Sequence, residues 1–261
     1  MLDEKRMNRV LEKLDTDQML ITDPCAIFYL TGRWIFAGER FLGLLIKKGQ
    51  KPILYLNELF RFDEELGVTK KMITDTDSVA ELLKCDVDPN KALGVDKTLA
   101  ARFLLPMIDG AIASKFINGS LAVDHTRAIK DEEEIALLRE SSRINDLAMA
   151  EFKKLPKAGM TEIEIANQML DIYKKLGAEA YSFSPIVAFG VNAADPHHMP
   201  DETVLHEGEA VLFDVGCKYH EYCSDMTRTF FFKGTPTDEQ MRIYNLVRQA
   251  NEDAEAYVRP G

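Results

Sequence analysis

The sequence predicts an α/β protein of the α+β kind, organised in two domains. Short apolar or alternating runs, separated by Gly and Pro, have the length and pattern of β-strands. Between them lie amphipathic segments whose apolar residues recur at helical spacing. A cluster of turn residues at positions 118–120 interrupts this pattern. We therefore expect one domain over residues 1–122 and a second over residues 123–261.

The first half of the chain mixes the two kinds of element. It opens with an amphipathic segment, continues with apolar runs bounded by Gly and Pro, and then returns to helical spacing. This order is typical of a mixed α/β domain. The predicted elements are a helix at residues 4–14, strands at 19–22, 41–46 and 52–56, and helices at 78–83 and 99–108.

The second half begins with two predicted helices. Residues 131–154 form a long helical pattern that opens with the acidic run DEEE. Acidic residues at a helix start are stabilised by the macrodipole, which explains this run better than a metal site does. Residues 162–176 predict a second helix, with Thr161 and Glu164 as a capping box. A further capping box, TDEQ at residues 237–240, starts a helical pattern near the end.

Two aspartates lie in a predicted hairpin that follows these helices. The strands are residues 211–215 and 226–232, rich in β-branched and aromatic residues. A turn centred between residues 219 and 220 would place Asp214 opposite Asp225, with Cβ atoms roughly 5 Å apart. Two carboxylates this close repel each other unless a proton or cation lies between them, and a divalent metal pair is the natural partner. The alternative is two solvated aspartates at strand ends.

Two histidines form a second candidate feature. His197 and His198 follow an apolar strand at residues 186–189 and a break at Gly190. A histidine in this loop could act as a metal ligand, an acid or base, or a hydrogen-bond donor to substrate. The alternative is that both are ordinary surface residues.

Composition excludes several classes of function. The formal net charge of −11 argues against a nucleic-acid partner, which requires a basic face, and against an anionic membrane surface. The amino-terminal residues do not have the apolar core of a signal peptide, so we expect a cytoplasmic protein whose four scattered cysteines are reduced thiols. Cys217 and Cys223 lack the spacing of a zinc site. The 46 % of hydrophobic residues is sufficient for packed cores.

Several motifs together resemble the pita-bread metallopeptidases, in particular their proline-specific members, Xaa-Pro dipeptidase (prolidase) and aminopeptidase P. The amino-terminal half is similar to the creatinase-type domain that precedes the catalytic domain in this family. The resemblance therefore implies a creatinase-like α/β domain followed by the first part of a pita-bread catalytic domain. The motifs are FGVNAADPHH at 189–198, EGEAVLFDVG at 207–216, SDMTRT at 224–229, LITDPCAIFYLTG at 20–32, GERFLGLLI at 38–46 and DHTRAIKD at 124–131.

The same resemblance implies a set of site residues. Asp214 and Asp225 correspond to the first two ligands of a dinuclear metal centre, with Asp225 bridging both ions. His197 corresponds to the catalytic histidine. His198 is the substitute for His197 in this assignment and is expected to bind substrate. Thr227 and Arg228, two and three residues after Asp225, are expected to steer its carboxylate.

The resemblance also implies cofactor and partners. The metals would be two divalent ions, Mn, Co or Zn, and the substrates would be short peptides with proline after the scissile bond. Family likeness suggests a homodimer.

Nothing after Asp225 resembles the later histidine and two glutamates that complete the family's metal site. We therefore expect an incomplete portion of the enzyme, with weak or absent metal binding in this chain. Two alternatives remain from the sequence. One is a non-catalytic binding or dimerisation module of the same fold, and the other is a creatinase-like amidinohydrolase.

Overall fold

The computed structural model describes residues 1–260, which form two compact units. The first unit is Met1–Ile129 and the second begins at Lys130. Helix α5 (Ser120–Ala128) lies in the first unit and begins directly after its N-cap residue, Gly119. The domain boundary at residues 122 and 123 remains a prediction. Within residues 1–260, no helix is both long enough and apolar enough to span a membrane.

The first unit is built on a mixed six-stranded sheet of order β4-β3-β2-β1-β5-β6. Strands β1, β2 and β3 pair antiparallel, and the outer pairs β3/β4, β1/β5 and β5/β6 are parallel. The last three strands were not predicted from the sequence. The strands are β1 (Gln18–Ile21), β2 (Leu42–Lys47), β3 (Ile53–Asn57), β4 (Thr69–Ile73), β5 (Ala92–Val95) and β6 (Lys115–Asn118).

Helices cover both faces of this sheet. Met19 and Ile21 of β1 pack into one apolar cluster, whereas Leu20 between them packs into another. All four residues of β1 are therefore buried, as expected for a strand enclosed on both sides. Helices α1, α2 and α5 contribute to the first cluster, and α3 and α4 to the second. The remaining helices are α1 (Glu4–Glu12), α2 (Pro24–Thr31), α3 (Val79–Lys84) and α4 (Ala101–Asp109).

The second unit contains two antiparallel three-stranded sheets, of order β12-β9-β8 and β11-β10-β7. The two sheets share one long hairpin, because β9 continues into β10 and β11 continues into β12. The hairpin is interrupted at Gly216 on one strand and at residues 224–225 on the other. The strands are β7 (Ala180–Tyr181), β8 (Ile186–Phe189), β9 (Ala210–Val215), β10 (Cys217–Tyr219), β11 (Tyr222–Cys223) and β12 (Met226–Phe231).

Three helices complete the second unit, and each begins with a capping box. The sequence predicts this capping box for α7 and α8. The core lies between the first two helices and one face of the β12-β9-β8 sheet. Among the described residues, α8 contributes none to this core, and its apolar side chains are exposed. The helices are α6 (Glu132–Phe152), α7 (Glu162–Lys175) and α8 (Asp238–Tyr257).

Strand β9 shows how the sheet separates core from site. Val211, Phe213 and Val215 are fully buried, whereas the alternate residues Leu212 and Asp214 are only partly buried. Successive side chains of a strand point to opposite faces. Asp214 therefore points away from the helices, on the face of the sheet that the core leaves open.

Candidate metal centre

The hairpin has a different register from the predicted one. Asp214 pairs with Thr227, and Tyr219 pairs with Tyr222, so the turn residues are His220 and Glu221. Both have left-handed backbone angles, with φ of 47° and 65°. Positive φ at both central residues is the geometry of a two-residue type I′ hairpin turn. The prediction that Asp214 lies directly opposite Asp225 is therefore wrong, because the turn is centred one residue later than assumed.

The two aspartates nevertheless lie close together, because Asp225 is two residues before Thr227, the partner of Asp214, and diagonal neighbours share one face of a hairpin. Gly216 is in tight contact with the other strand, and a Cβ atom there would lie 2.0 Å from the carbonyl oxygen of Ser224. Asp225 as a whole residue is exposed. Partial burial of its carboxyl group and repulsion by the Asp214 carboxylate raise the pKa of Asp225 above its ordinary value.

Asp214 carries an unsatisfied acceptor. Its Oδ1 atom is buried and has no hydrogen-bond partner among the described residues. A buried polar atom without a partner is costly and points to a ligand or ion at the site. Two adjacent carboxylates, one with an unpaired oxygen, supply the hard oxygen donors that divalent cations prefer. The residues present therefore fit a divalent metal.

A buried polar network holds the strand that carries Asp214. Asn145 of α6 donates from Nδ2 to the carbonyl of Val215 over 3.1 Å, and the Tyr173 hydroxyl donates to Asn145 Oδ1 over 2.6 Å. Ser141, one turn earlier, donates to the carbonyl of Cys217 over 3.1 Å. Ser141 and Asn145 are fully buried. This network was not predicted from the sequence, although polar residues four apart on the buried face of α6 are its signal.

Thr227 and Arg228 are two exposed residues of β12. Thr227 is opposite Asp214 and exposed, so it adjoins the carboxylate pair. Arg228 is also exposed, and its Nη1 atom donates to the carbonyl of Thr227 over 2.8 Å. The steering of Asp225 by these two residues remains a prediction.

The two histidines lie in a loop that leaves β8 through a 3₁₀ turn, Gly190–Ala194. His197 is exposed, and its backbone N–H donates to Oδ1 of Asp195 over 2.9 Å. His198 is partly buried, and its Nε2 atom lies 2.6 Å from Oε2 of Glu162. The imidazole predicted to bind substrate is thus already engaged by a carboxylate, and the exposed imidazole of His197 is the one open to a ligand.

Glu162 receives four hydrogen bonds at a side chain with no exposed surface. Its Oε1 atom accepts from the Phe189 N–H over 2.7 Å and from Asn192 Nδ2 over 3.1 Å. Its Oε2 atom accepts from His198 and from the Asp201 N–H, the latter over 3.1 Å. Glu162 was not predicted as a site residue, because an acid in the first turn of a helix is usually solvated.

Glu162, His198 and Asp201 also have the composition of a metal site. One ligand atom from each lies within 4.8 Å of the others. However, each oxygen of Glu162 already accepts two hydrogen bonds, which use the lone pairs that a cation would need. Two of these four hydrogen bonds come from backbone N–H groups, which are donors and cannot themselves bind a cation. The cluster is therefore better described as a closed hydrogen-bond network. The Asp214/Asp225 pair, which has an unpaired oxygen, is the stronger metal candidate.

Comparison with known proteins agrees with the geometry. Residues 136–261 match the model of metallopeptidase family M24, and residues 5–129 match the creatinase/prolidase N-terminal domain. An uncharacterized peptidase of Staphylococcus epidermidis is 33 % identical over 258 residues, which cover 98 % of this chain and 73 % of that protein. The chain belongs to metallopeptidase family M24, whose members are divalent-metal-dependent peptidases.

Two solved structures extend the likeness to the fold. The prolidase from Pyrococcus horikoshii OT3 has a TM-score of 0.85 and 26 % identity, covering 98 % of this chain and 73 % of that one. The Xaa-Pro dipeptidase from Bacillus anthracis has a TM-score of 0.80 and 28 % identity, covering 95 % and 70 %. The expected fold, a creatinase-type domain followed by a pita-bread domain, is confirmed.

Proposed function

We propose that this protein hydrolyses the peptide bond before proline in short peptides, as an Xaa-Pro dipeptidase or aminopeptidase P-type enzyme. The observation that carries the proposal is the unpaired Oδ1 atom of Asp214 beside Asp225, at the open face of the β12-β9-β8 sheet. Names of similar structures, a prolidase and an Xaa-Pro dipeptidase, support this substrate class.

Each site residue has a proposed role. Asp214 and Asp225 would supply two of the ligands for the divalent metal ions, so binding by these two residues alone would be weak. When bound, these ions would polarise the scissile carbonyl and lower the pKa of the attacking water. The exposed imidazole of His197 would form a hydrogen bond with the substrate near the reacting bond and transfer a proton there. A bond before proline is a tertiary amide without an N–H, so recognition has to use its carbonyl and ring instead.

The finer properties are proposals as well. The ions would be Mn, Co or Zn, since a carboxylate site of this kind does not select strongly among them. We propose a homodimer, from family likeness, and a cytoplasmic location, supported by the wide scatter of the four cysteines along the sequence. Light scattering of the purified protein tests the dimer directly.

The activity test compares two dipeptides and two variants. Purified protein is incubated with Ala-Pro or Ala-Ala in Mn²⁺, Co²⁺ or Zn²⁺, and released amino acids are quantified. We expect preferential release from Ala-Pro, abolished by chelation and reduced about 100-fold or more in Asp225→Asn. Asp146→Asn, on the exposed side of α6, is the matched control and should leave the rate unchanged. Equal rates in Asp225→Asn and the wild type would contradict the proposal.

A further inference from the structure

His197 makes few contacts with the rest of the loop that carries it. His197 is exposed, and its only hydrogen bond among residues 1–260 runs from its backbone N–H to Asp195. The imidazole therefore depends on its neighbours for a defined position. A catalytic imidazole has to lie within hydrogen-bond reach of the reacting group, so the loop needs support from elsewhere in the fold.

One buried carboxylate supplies this support. The four donors to Glu162 are spread along the loop, at Phe189, Asn192, His198 and Asp201. Two of them precede His197 and two follow it. His198 is directly adjacent, so its 2.6 Å contact fixes the backbone next to the catalytic position. A single side chain thus determines the path of the loop on both sides of His197.

Glu162 is itself rigidly placed. It is the first residue of α7, directly after Thr161, whose side chain forms the capping box with Glu164. Its backbone N–H donates to the carbonyl of Thr203 over 3.2 Å. Thr203 in turn accepts a hydrogen bond from Asn192 at its Oγ1 atom over 3.1 Å. The carboxylate and the chain around it therefore form one connected network.

The chemistry of this network requires a carboxylate. Burying a charged group is expensive unless donors surround it, and Glu162 has two donors at each oxygen. Glutamine has the same shape, but an amide nitrogen replaces one of the two carboxylate oxygens. That nitrogen would face two hydrogen-bond donors and could accept from neither. The Gln variant would therefore keep the volume of the side chain and lose half of its acceptor capacity.

We propose that Glu162, acting through His198, is a positioning residue that holds His197 in place for the reaction. This inference rests on the proposed peptidase function. It assigns Glu162 a role in the loop and assigns His198 to loop support instead of substrate contact. Neither residue binds the metal ions or touches the substrate in this account.

The test uses two pairs of variants of the whole protein. Glu162→Gln is compared with Glu164→Gln, which lies in the same helical turn and keeps its capping box because glutamine also serves at that position. His198→Ala is compared with His198→Gln, which retains a side-chain N–H donor near the original Nε2 atom. Circular dichroism verifies folding, and the His198 pair serves as the test if Glu162→Gln does not fold.

Amide hydrogen exchange is the first readout, and it needs no activity. We expect amides of residues 189–201 to exchange about tenfold faster or more in Glu162→Gln and His198→Ala, with β9 and α6 unchanged. Glu164→Gln should match the wild type, and His198→Gln should restore most of the protection. Unchanged exchange in both Glu162→Gln and His198→Ala would overturn the proposal, whether or not the protein proves to be a peptidase.

Kinetics on Ala-Pro is the second readout. Misplacement of His197 should lower kcat about 10- to 100-fold while KM and metal affinity stay nearly constant, with His198→Gln close to the wild type. A purely structural role would not lower kcat while leaving KM unchanged, and His198→Gln would not restore kcat. If the wild type fails to hydrolyse Ala-Pro, the proposed function fails, while hydrogen exchange still decides whether Glu162 holds the loop.

Discussion

Asp214 lies opposite Thr227 on the neighbouring strand, yet its carboxylate is close enough to Asp225 to raise the pKa of that residue. The folded chain therefore binds a proton at Asp225 more readily than the unfolded chain does. This contribution to stability is present at low pH and is lost as the pH rises through the raised pKa. At neutral pH without metal, the pair is a source of repulsion within the fold.

Asp225→Asn should accordingly stabilise the metal-free protein at pH 7. The change removes the repulsion and offers an amide donor to the unpaired Oδ1 atom of Asp214. Because the site is partly open to solvent, we expect a gain of about 0.5–1 kcal/mol in the free energy of unfolding. Urea unfolding in the presence of a chelator measures it, with Asp146→Asn as the exposed control. A loss of stability in Asp225→Asn would contradict this picture of the site.

Asn145→Ala should destabilise the strand that presents Asp214. The substitution leaves the Val215 carbonyl and the Tyr173 hydroxyl without their partners in a buried setting. We expect a loss of about 2–4 kcal/mol in unfolding free energy. Tyr173→Phe should cost less, and the double variant should cost less than the sum, because the two residues share one hydrogen-bond chain. Ser142→Ala, exposed on the same helix, is the control, and additive losses would show that the chain is not coupled.

Gly216→Ala tests the close approach of the two hairpin strands beside the aspartates. A Cβ atom at this position would lie 2.0 Å from the Ser224 carbonyl oxygen, which belongs to the backbone and cannot rotate away. We expect a loss of more than about 4 kcal/mol or failure to fold. Gly159→Ala is the comparison, because Gly159 has φ of +88° but nothing within 4 Å of the added atom. That variant should cost only about 1–2 kcal/mol, and equal losses would argue against the close approach.

Tyr181 predicts a dependence of stability on alkaline pH. Burial raises its pKa from 10.0 to about 12, and its hydroxyl donates to the carbonyl of Ala166 over 3.1 Å. A raised folded pKa means that the stabilising contribution is complete below pH 10 and is lost as the pH rises from about 10 to about 12. We expect Tyr181→Phe to reduce the loss of stability across this window by roughly 1–2 kcal/mol. Parallel curves for the two proteins would contradict the assignment.

The sequence predicted local features well, because they depend on residues close together in the chain. Helices α6, α7 and α8 begin at the caps or acidic run expected of them, and β8 and β9 follow apolar runs. Strand β4 was missed because its sequence, TKKMI, is polar and gains its place by pairing with β3. Long-range pairing of this kind leaves little signal in a short window.

The site was predicted in part, and the errors have specific causes. The hairpin register was wrong because His220 and Glu221 adopt left-handed angles that are usually found at Asn and Gly. Asp214 and Asp225 are therefore diagonal neighbours on one face and not a directly facing pair. Glu162 escaped notice because burial, not residue type, distinguishes it from other acids at helix starts.

We propose Asp214 and Asp225 as the divalent-metal site, and paramagnetic broadening by Mn²⁺ reports on the residues nearest the ion. The ¹⁵N spectrum of the protein is recorded with small, increasing amounts of Mn²⁺, alongside Asp225→Asn. We predict that amides at residues 214–216 and 225–227 broaden first, and that this effect largely disappears in the variant. Broadening centred on Glu162, His198 and Asp201, or unchanged in Asp225→Asn, would contradict the account.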